Sequence, residues 1–385
     1  MDRQTLDPDT FDGGRQLSRV GVNGGTVTYG RRCRSGYDAQ RRSAGRMVAH
    51  GPGTLTTAPR ACPVRAERGS VAPVHRTKTR FAARINHVAT ALERRGVRAT
   101  YSLHDRVLSN RRSRRRFTGD PPELDDVQRR IVAELETDGY SLLPFSELFP
   151  DAGLWEEIEA LSSRFVAETE AGLAGDRESL RVRAGKEFVV RLHSYGIDVN
   201  LDDPWFRACA SRRMLDVANT YLDLWSKLEY VDMWYSVPQP EGAERVASQR
   251  WHRDFNDRQL VKAFLYLADV DESMGPFEYV PGSAGRGPYA SVWPWRPLGD
   301  NYPSQEEFAE RVPGASIRTF TAPKGTLILC DTSGFHRGGL STSAARVLAT
   351  VTYSSPASLK SLTERSYTFT GSLEDLDPST RFAVG

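Results

Sequence analysis

The chain has 385 residues, 39% of them apolar and 10% aromatic, enough for a sizeable core and too many for a wholly disordered polymer. Its net charge of +3 conceals a division: residues 1–116 carry 25 basic and 8 acidic side chains, a net of +17, and the remainder carries 27 and 41, a net of −14. Such asymmetry forbids reading one partner from the overall charge, and no stretch approaches the roughly 20 apolar residues that a membrane helix needs.

The opening MDRQTLDPDTFDGG holds no apolar run of the secretory kind. Cys33, Cys62, Cys209 and Cys330 are scattered, with no C-x-x-C pair. That pattern fits a reducing compartment, so a cytoplasmic protein is expected, and it excludes a cysteine-built zinc site.

Residues 1–80 are rich in Gly, Arg, Ser, Thr and Pro without sustained periodicity, a composition that predicts disorder because little apolar area can offset the chain entropy. Phe81, Ile85, Val88 and Leu92 fall at helical spacing before Gly96 and predict one short helix. Arginine supplies 24 of the 25 basic residues of this arm, a bias that suggests GC-rich coding and an upstream-called start codon; if that is its origin, the arm has no function. The run RRSRRRF at 111–117 could touch nucleic acid or anionic surfaces, but a solvated linker is the better reading. The basic arm is therefore taken as residues 1–116 and the catalytic domain, with a C-terminal tail, as 117–385.

From residue 121 the texture changes. PPELDDVQRRIVAELETDGY predicts a capped helix ending at Gly139, followed by a short strand in YSLLPF. Helices are expected over 151–171 and 203–226, with a strand in KEFVVRLHSY between them. Strands then dominate: 228–237, 248–252, 260–270, 276–282, 315–322, 325–331 and 346–355 are short, β-branched or aromatic, and separated by Gly, Pro, Asp and Ser. The expected fold is α+β, a double-stranded β-helix (jelly-roll) barrel with helices packed on one sheet.

Chemistry concentrates in WHRD. His252 and Asp254 stand two apart, and residues i and i+2 of an extended chain share a face. Of the seven histidines, His50, His75, His87 and His104 lie in the arm, which cannot hold fixed geometry. His336 follows the apolar strand GTLILCD in a glycine-bounded turn, where its ring can point into a cavity. Two imidazoles and one carboxylate leave three metal positions open, the arrangement of non-haem Fe(II) oxygenases rather than of closed structural zinc. Arg346, ten residues further on, opens RVLATVTY, and an arginine there can clamp the far end of a dicarboxylate.

WHRD, VKAFLYLADVDESMGPFEYVPGS, GTLILCDTSGFHRGG and Arg346 together resemble the phytanoyl-CoA dioxygenase family over about residues 120–360. The resemblance implies an Fe(II)- and 2-oxoglutarate-dependent dioxygenase that uses O2, forms succinate and CO2, and hydroxylates an unactivated C–H bond of a small metabolite. It implies His252, Asp254 and His336 as iron ligands and Arg346 as the partner of the 2-oxoglutarate C5 carboxylate. The family often has histidine after PGS, where this chain has Ala284. Halogenating relatives replace the carboxylate ligand with a small residue, so Asp254 argues against halogenation. Desaturation, epimerisation and ring closure share the same site and depend on substrate pose.

Alternation in LVKAFLYLADV places Lys262, Phe264 and Tyr266 on one face and Val261, Ala263, Leu265 and Leu267 on the other, under helices. A buried Lys262 needs an anion. The co-substrate or substrate carboxylate, with Tyr266 beside it, is one partner, and an Asp or Glu is the other. Lys186 and Arg191 could reach co-substrate or an acidic substrate, although exposed cations are commoner. His193 reads as a polar strand end. Trp251, Phe255, Trp234 and Tyr235 could line a substrate pocket or simply pack. GSAGRGP opens no helix and reads as a turn.

Two rival functions stand beside the oxygenase. One is a non-redox, cupin-like metal isomerase, for which Arg346 has no use. The other is a binding protein whose arm contacts nucleic acid, recognisable by binding that survives His252→Ala and disappears with residues 1–116. The expected partner is a small molecule, with no membrane and no nucleic acid, in a monomer or weak homo-oligomer. Selectivity is assigned to the loop 291–308 and the tail after 356.

Overall fold

Asp125 caps the first long helix of the body. Its carboxylate accepts from the Gln128 N–H while the Gln128 side chain accepts from the Asp125 N–H, a reciprocal pair that satisfies two otherwise orphaned donors. The computed structural model describes residues 96–183, 186–193, 196–285, 287–295, 302–359 and 366–385, all within one compact unit. The expected unstructured arm over 1–80 and the short helix around Phe81–Leu92 lie outside the described residues.

Beyond the helical residues 96–106, the α-helices bounded within the described residues are, in chain order, α1 (Ser109–Gly119), α2 (Asp126–Asp138), α3 (Phe145–Leu148), α4 (Ala152–Ala174), α5 (Pro204–Ala210), α6 (Arg212–Leu222), α7 (Gln305–Arg311) and α8 (Pro378–Val384). The strands are β1 (Tyr140–Pro144), β2 (Val182–Arg183), β3 (Lys186–Arg191), β4 (Ile197–Val199), β5 (Lys227–Ser236), β6 (Val261–Tyr266), β7 (Phe277–Tyr279), β8 (Arg318–Phe320), β9 (Thr326–Asp331), β10 (His336–Gly338), β11 (Arg346–Ser354) and β12 (Tyr367–Phe369). A seven-stranded sheet runs β1-β9-β6-β11-β5-β3-β2 and a three-stranded sheet β10-β7-β8, both antiparallel throughout. The architecture is mixed α/β.

Period-two alternation divides the large sheet. Val347, Ala349, Val351 and Tyr353 of β11 join Val261, Ala263 and Leu265 of β6 in one core with Ile131, Leu135, Ile158, Phe165, Trp205 and Leu215 from the helices. The opposite face sends Phe264, Tyr266, Ile328 and Leu348 against Phe277, Tyr279 and Phe320 of the small sheet. What this second core leaves open, toward Arg346, Thr350 and Thr352, is the cavity described below.

Two expectations change. The helical stretch 203–226 is two helices, because Ser211 is extended (φ −71°, ψ 154°) and ends one while opening the next. The boundary expected at residue 116 falls inside packed structure. Residues 96–106 are helical, and Tyr101, 1% exposed, donates to Asp257 Oδ1 at 2.7 Å. The RRSRRRF run is the body of α1, whose buried Ser113 donates to Trp225 O and whose Arg116 lies over the rings of Trp225 and Phe382. It is a helix docked by polar and cation–π contacts, not a solvated linker.

Candidate metal centre

His252 and His336 face each other across an isolated antiparallel bridge. His252 N–H donates to His336 O at 3.1 Å and His336 N–H to His252 O at 3.0 Å. Two residues on, Asp254 N–H donates to Thr332 O at 2.9 Å. Only His252 of the expected strand 248–252 is paired this way; a 3₁₀ turn occupies Ala247–Gln249. Backbone pairing thus brings three side chains together, and one donor atom from each of His252, Asp254 and His336 lies within 4.8 Å of the others.

The environment sets their protonation. His252 Nδ1 is 2.8 Å from Arg250 O and His336 Nδ1 is 3.0 Å from Gly334 O. A carbonyl partner assigns the proton to Nδ1 and leaves the Nε2 lone pair for a metal. Burial holds His252 well below the usual imidazole range and lowers His336 to about 4, so both are neutral at pH 7. Burial alone would raise the Asp254 carboxyl, but Lys262 and the two imidazoles overcome it and keep it ionised. Tyr302 stacks on His252 with ring centroids 5.0 Å apart and planes within 8°.

The three side chains open into a cavity of about 370 Å³ that Arg346 also lines. The Arg346 guanidinium is 7% exposed, its Nη2 is 3.5 Å from Ser236 Oγ, and its Nε and Nη1 have no partner. Gly338 leaves room for it, since a Cβ there would come within 3.2 Å of Nη2. A buried cation that lines a cavity and has two nitrogens without a partner fits an anion nearby, as burying it unpaired is costly. The donor set fits a metal of the iron group better than structural zinc, having three ligands of mixed type and no thiolate.

The other expected site residues divide. Lys262 lines the cavity, but its ammonium forms an ion pair with Asp254 Oδ2 at 2.6 Å. Its partner is therefore the carboxylate on its own wall. Arg191 lines the cavity with Nε 2.6 Å from Asp232 Oδ2 and Nη2 2.7 Å from Tyr230 Oη. Phe255 lines it and is 42% exposed. Lys186 and Trp234 line it as well.

Three residues do not reach the cavity. Tyr266 is fully buried between the sheets, its hydroxyl donating to Phe320 O at 3.0 Å and accepting from Phe277 N–H at 3.1 Å. Tyr235 alternates to the helix side and packs in the large core, and Trp251 stacks on Phe308 at 4.5 Å. His193 bonds Asp232 through its N–H and lies 3.4 Å from Asp203 Oδ2. Sequence reasoning missed Tyr302, Arg253 and Glu229. The last is a buried cavity carboxylate that accepts from Asn256, Ser354 and Ser358. Of these, only Tyr302 left a trace, as an aromatic in the loop assigned to selectivity.

Two neutral imidazoles, an ionised carboxylate and a guanidinium on one cavity belong to the class of non-haem iron oxygenases that use a carboxylic co-substrate. Residues 151–347 match the phytanoyl-CoA dioxygenase family. That is just over half of the chain, and the chain belongs to this family. No curated protein matches it. Among solved structures it is similar to the epimerase SnoN in complex with Fe3+, alpha ketoglutarate and nogalamycin RO, at 20% identity over 60% of this chain and 84% of that one, with a TM-score of 0.40. It is also similar to EctD from S. alaskensis in its apoform (20%, 61% and 80%, TM-score 0.40). A third is HygX from Streptomyces hygroscopicus with nickel, 2-oxoglutarate and hygromycin B bound (17%, 60% and 88%, TM-score 0.37).

Proposed function

We propose that this enzyme is a 2-oxoglutarate-dependent hydroxylase of a small molecule, built on a double-stranded β-helix with helices over one sheet. His252 and His336 would hold Fe(II) through Nε2 and Asp254 through its carboxylate. Arg346 would take the far carboxylate of 2-oxoglutarate. Bound together with O2, iron and the keto acid supply the oxidising power, the keto acid leaving as succinate and CO2. One observation carries the reading: His252, Asp254 and His336 come together on the wall of the cavity that Arg346, a buried cation with two nitrogens lacking a partner, also lines.

The chain's own residues do the rest. Arg250 O and Gly334 O keep the imidazoles in the tautomer that binds metal. Arg346 selects an anion of fixed length and orients it by two donors. Phe188, Trp234, Phe264 and Leu348 give the cavity apolar walls that exclude water, while Arg191, Tyr230 and Glu229 give it polar ones. The intact Asp254 favours hydroxylation over halogenation. Among the described residues no helix is long and apolar enough to cross a membrane, and Cys209 and Cys330 are free and buried, which agrees with a cytoplasmic setting.

The test is turnover. Fe(II) enzyme, 2-oxoglutarate and O2 are incubated with a panel of small metabolites and scored for succinate and for a product heavier by one oxygen atom. The expected result is substrate-dependent succinate with that product, lost in Asp254→Ala. Succinate coupled to a chlorinated product, or the same turnover in Asp254→Ala, would refute the assignment.

A further inference from the structure

Arg253 stands between the two ligands of WHRD and, by alternation, points the other way. It is 3% exposed and, among the described residues, has no carboxylate in hydrogen-bond reach. Nη1 instead donates to Ser283 O at 2.5 Å and Ser333 O at 2.6 Å, while Nη2 donates to Tyr289 O at 3.1 Å and Val292 O at 2.9 Å. The guanidinium plane also covers the Phe335 ring, 4.1 Å from its centroid. Burial lowers its pKa to about 10, so it is a cation at pH 7.

Those four carbonyls belong to two segments, one of which leads into a proposed ligand. Ser333 is in the turn that delivers His336, a turn fixed again where Phe335 N–H donates to Ser283 Oγ at 2.7 Å. Ser283, Tyr289 and Val292 follow β7 in the chain, and Tyr302, the ring stacked on His252, comes later in the sequence. One planar fork therefore joins the His252–Asp254 segment to the His336 turn and to the segment after β7. A lysine could not copy this, since its ammonium presents three donors from a single point rather than two parallel pairs.

We infer that Arg253 is a positioning residue for the metal centre, setting the placement of the His252–Asp254 segment against the His336 turn. The inference rests on the ligand assignment proposed above. Residues that orient metal ligands change metal affinity about 10- to 100-fold when altered, and a loss in that range is expected for Arg253→Lys and Arg253→Ala.

The experiment measures Mn(II) binding by electron paramagnetic resonance, per folded molecule, in the full chain and its variants. Wild type should bind Mn(II), and His336→Ala should not; if wild type does not bind, the ligand assignment fails. Given wild-type binding, the expected result is weakening of at least tenfold in Arg253→Lys, with partial recovery in Arg253→Ala on adding methylguanidinium. Wild-type affinity in a folded Arg253→Lys would overturn the inference. So would failure of both variants to fold, which would make Arg253 a structural residue only.

Discussion

A buried guanidinium, Arg346, is the residue proposed to hold the anion. Arg346 lines the cavity and its Nε and Nη1 are buried without a hydrogen-bond partner, and a charge-assisted hydrogen bond contributes about 1.5–3 kcal/mol. Arg346→Lys keeps the charge but loses the parallel donors. Its KM for 2-oxoglutarate is expected to rise roughly 10- to 150-fold, with Mn(II) affinity in the absence of co-substrate unchanged. Steady-state kinetics paired with metal titration checks both. A fall in metal affinity instead would show that Arg346 supports the ligands rather than an anion. Lys262 makes the opposite case: already paired with Asp254, it is a weak candidate for the same anion.

At the scale of elements, the site was legible where it depends on strand period and obscure where it depends on backbone. Alternation along β6 separated Val261, Ala263 and Leu265, which pack in the large core, from Lys262 and Phe264, which line the cavity. It misassigned Tyr266 because one face of a strand serves both the cavity and the core between the sheets, and period two reports the face without the depth. Arg253 was invisible because its partners are carbonyls, which every residue has. Helix α1 was missed because it docks through Asn110, Ser113 and Arg116, which leave no apolar stripe.

The same docking region carries a pH-dependent term. Asp257, held by Tyr101 Oη and Ser355 N–H, is raised from 3.8 to about 6 by burial. A carboxyl raised in the folded state adds stability at low pH and loses it as pH rises through about 6. Between pH 7.5 and pH 5 this group should add on the order of 1 kcal/mol, measured as the difference between wild type and Asp257→Asn in urea unfolding. Equal pH slopes in the two proteins would contradict it.

On the scale of the whole molecule, the described part of the basic segment belongs to the folded body. Residues 96–119 are helical except for the link 107–108, and they are packed on the body, with Tyr101 buried and Asn110 bonded to Ser355 and Ala357. A chain starting at residue 96 should keep metal and co-substrate binding. One starting at residue 120 should lose roughly 3 kcal/mol or more from the burial of Tyr101 alone, read as a lower melting temperature. Equal melting temperatures would show that this segment contributes nothing to the fold.

The central claim is that a metal held by 252, 254 and 336 shares its cavity with a 2-oxoglutarate held by 346. Anaerobic addition of Fe(II) and 2-oxoglutarate to the full chain tests it most directly, through the visible charge-transfer absorption of the keto acid chelated to iron. The band is expected in wild type, absent in Asp254→Ala and His336→Ala, and shifted to higher 2-oxoglutarate concentration in Arg346→Lys. No band in folded wild type, or an unchanged band without Asp254 or His336, would contradict the account.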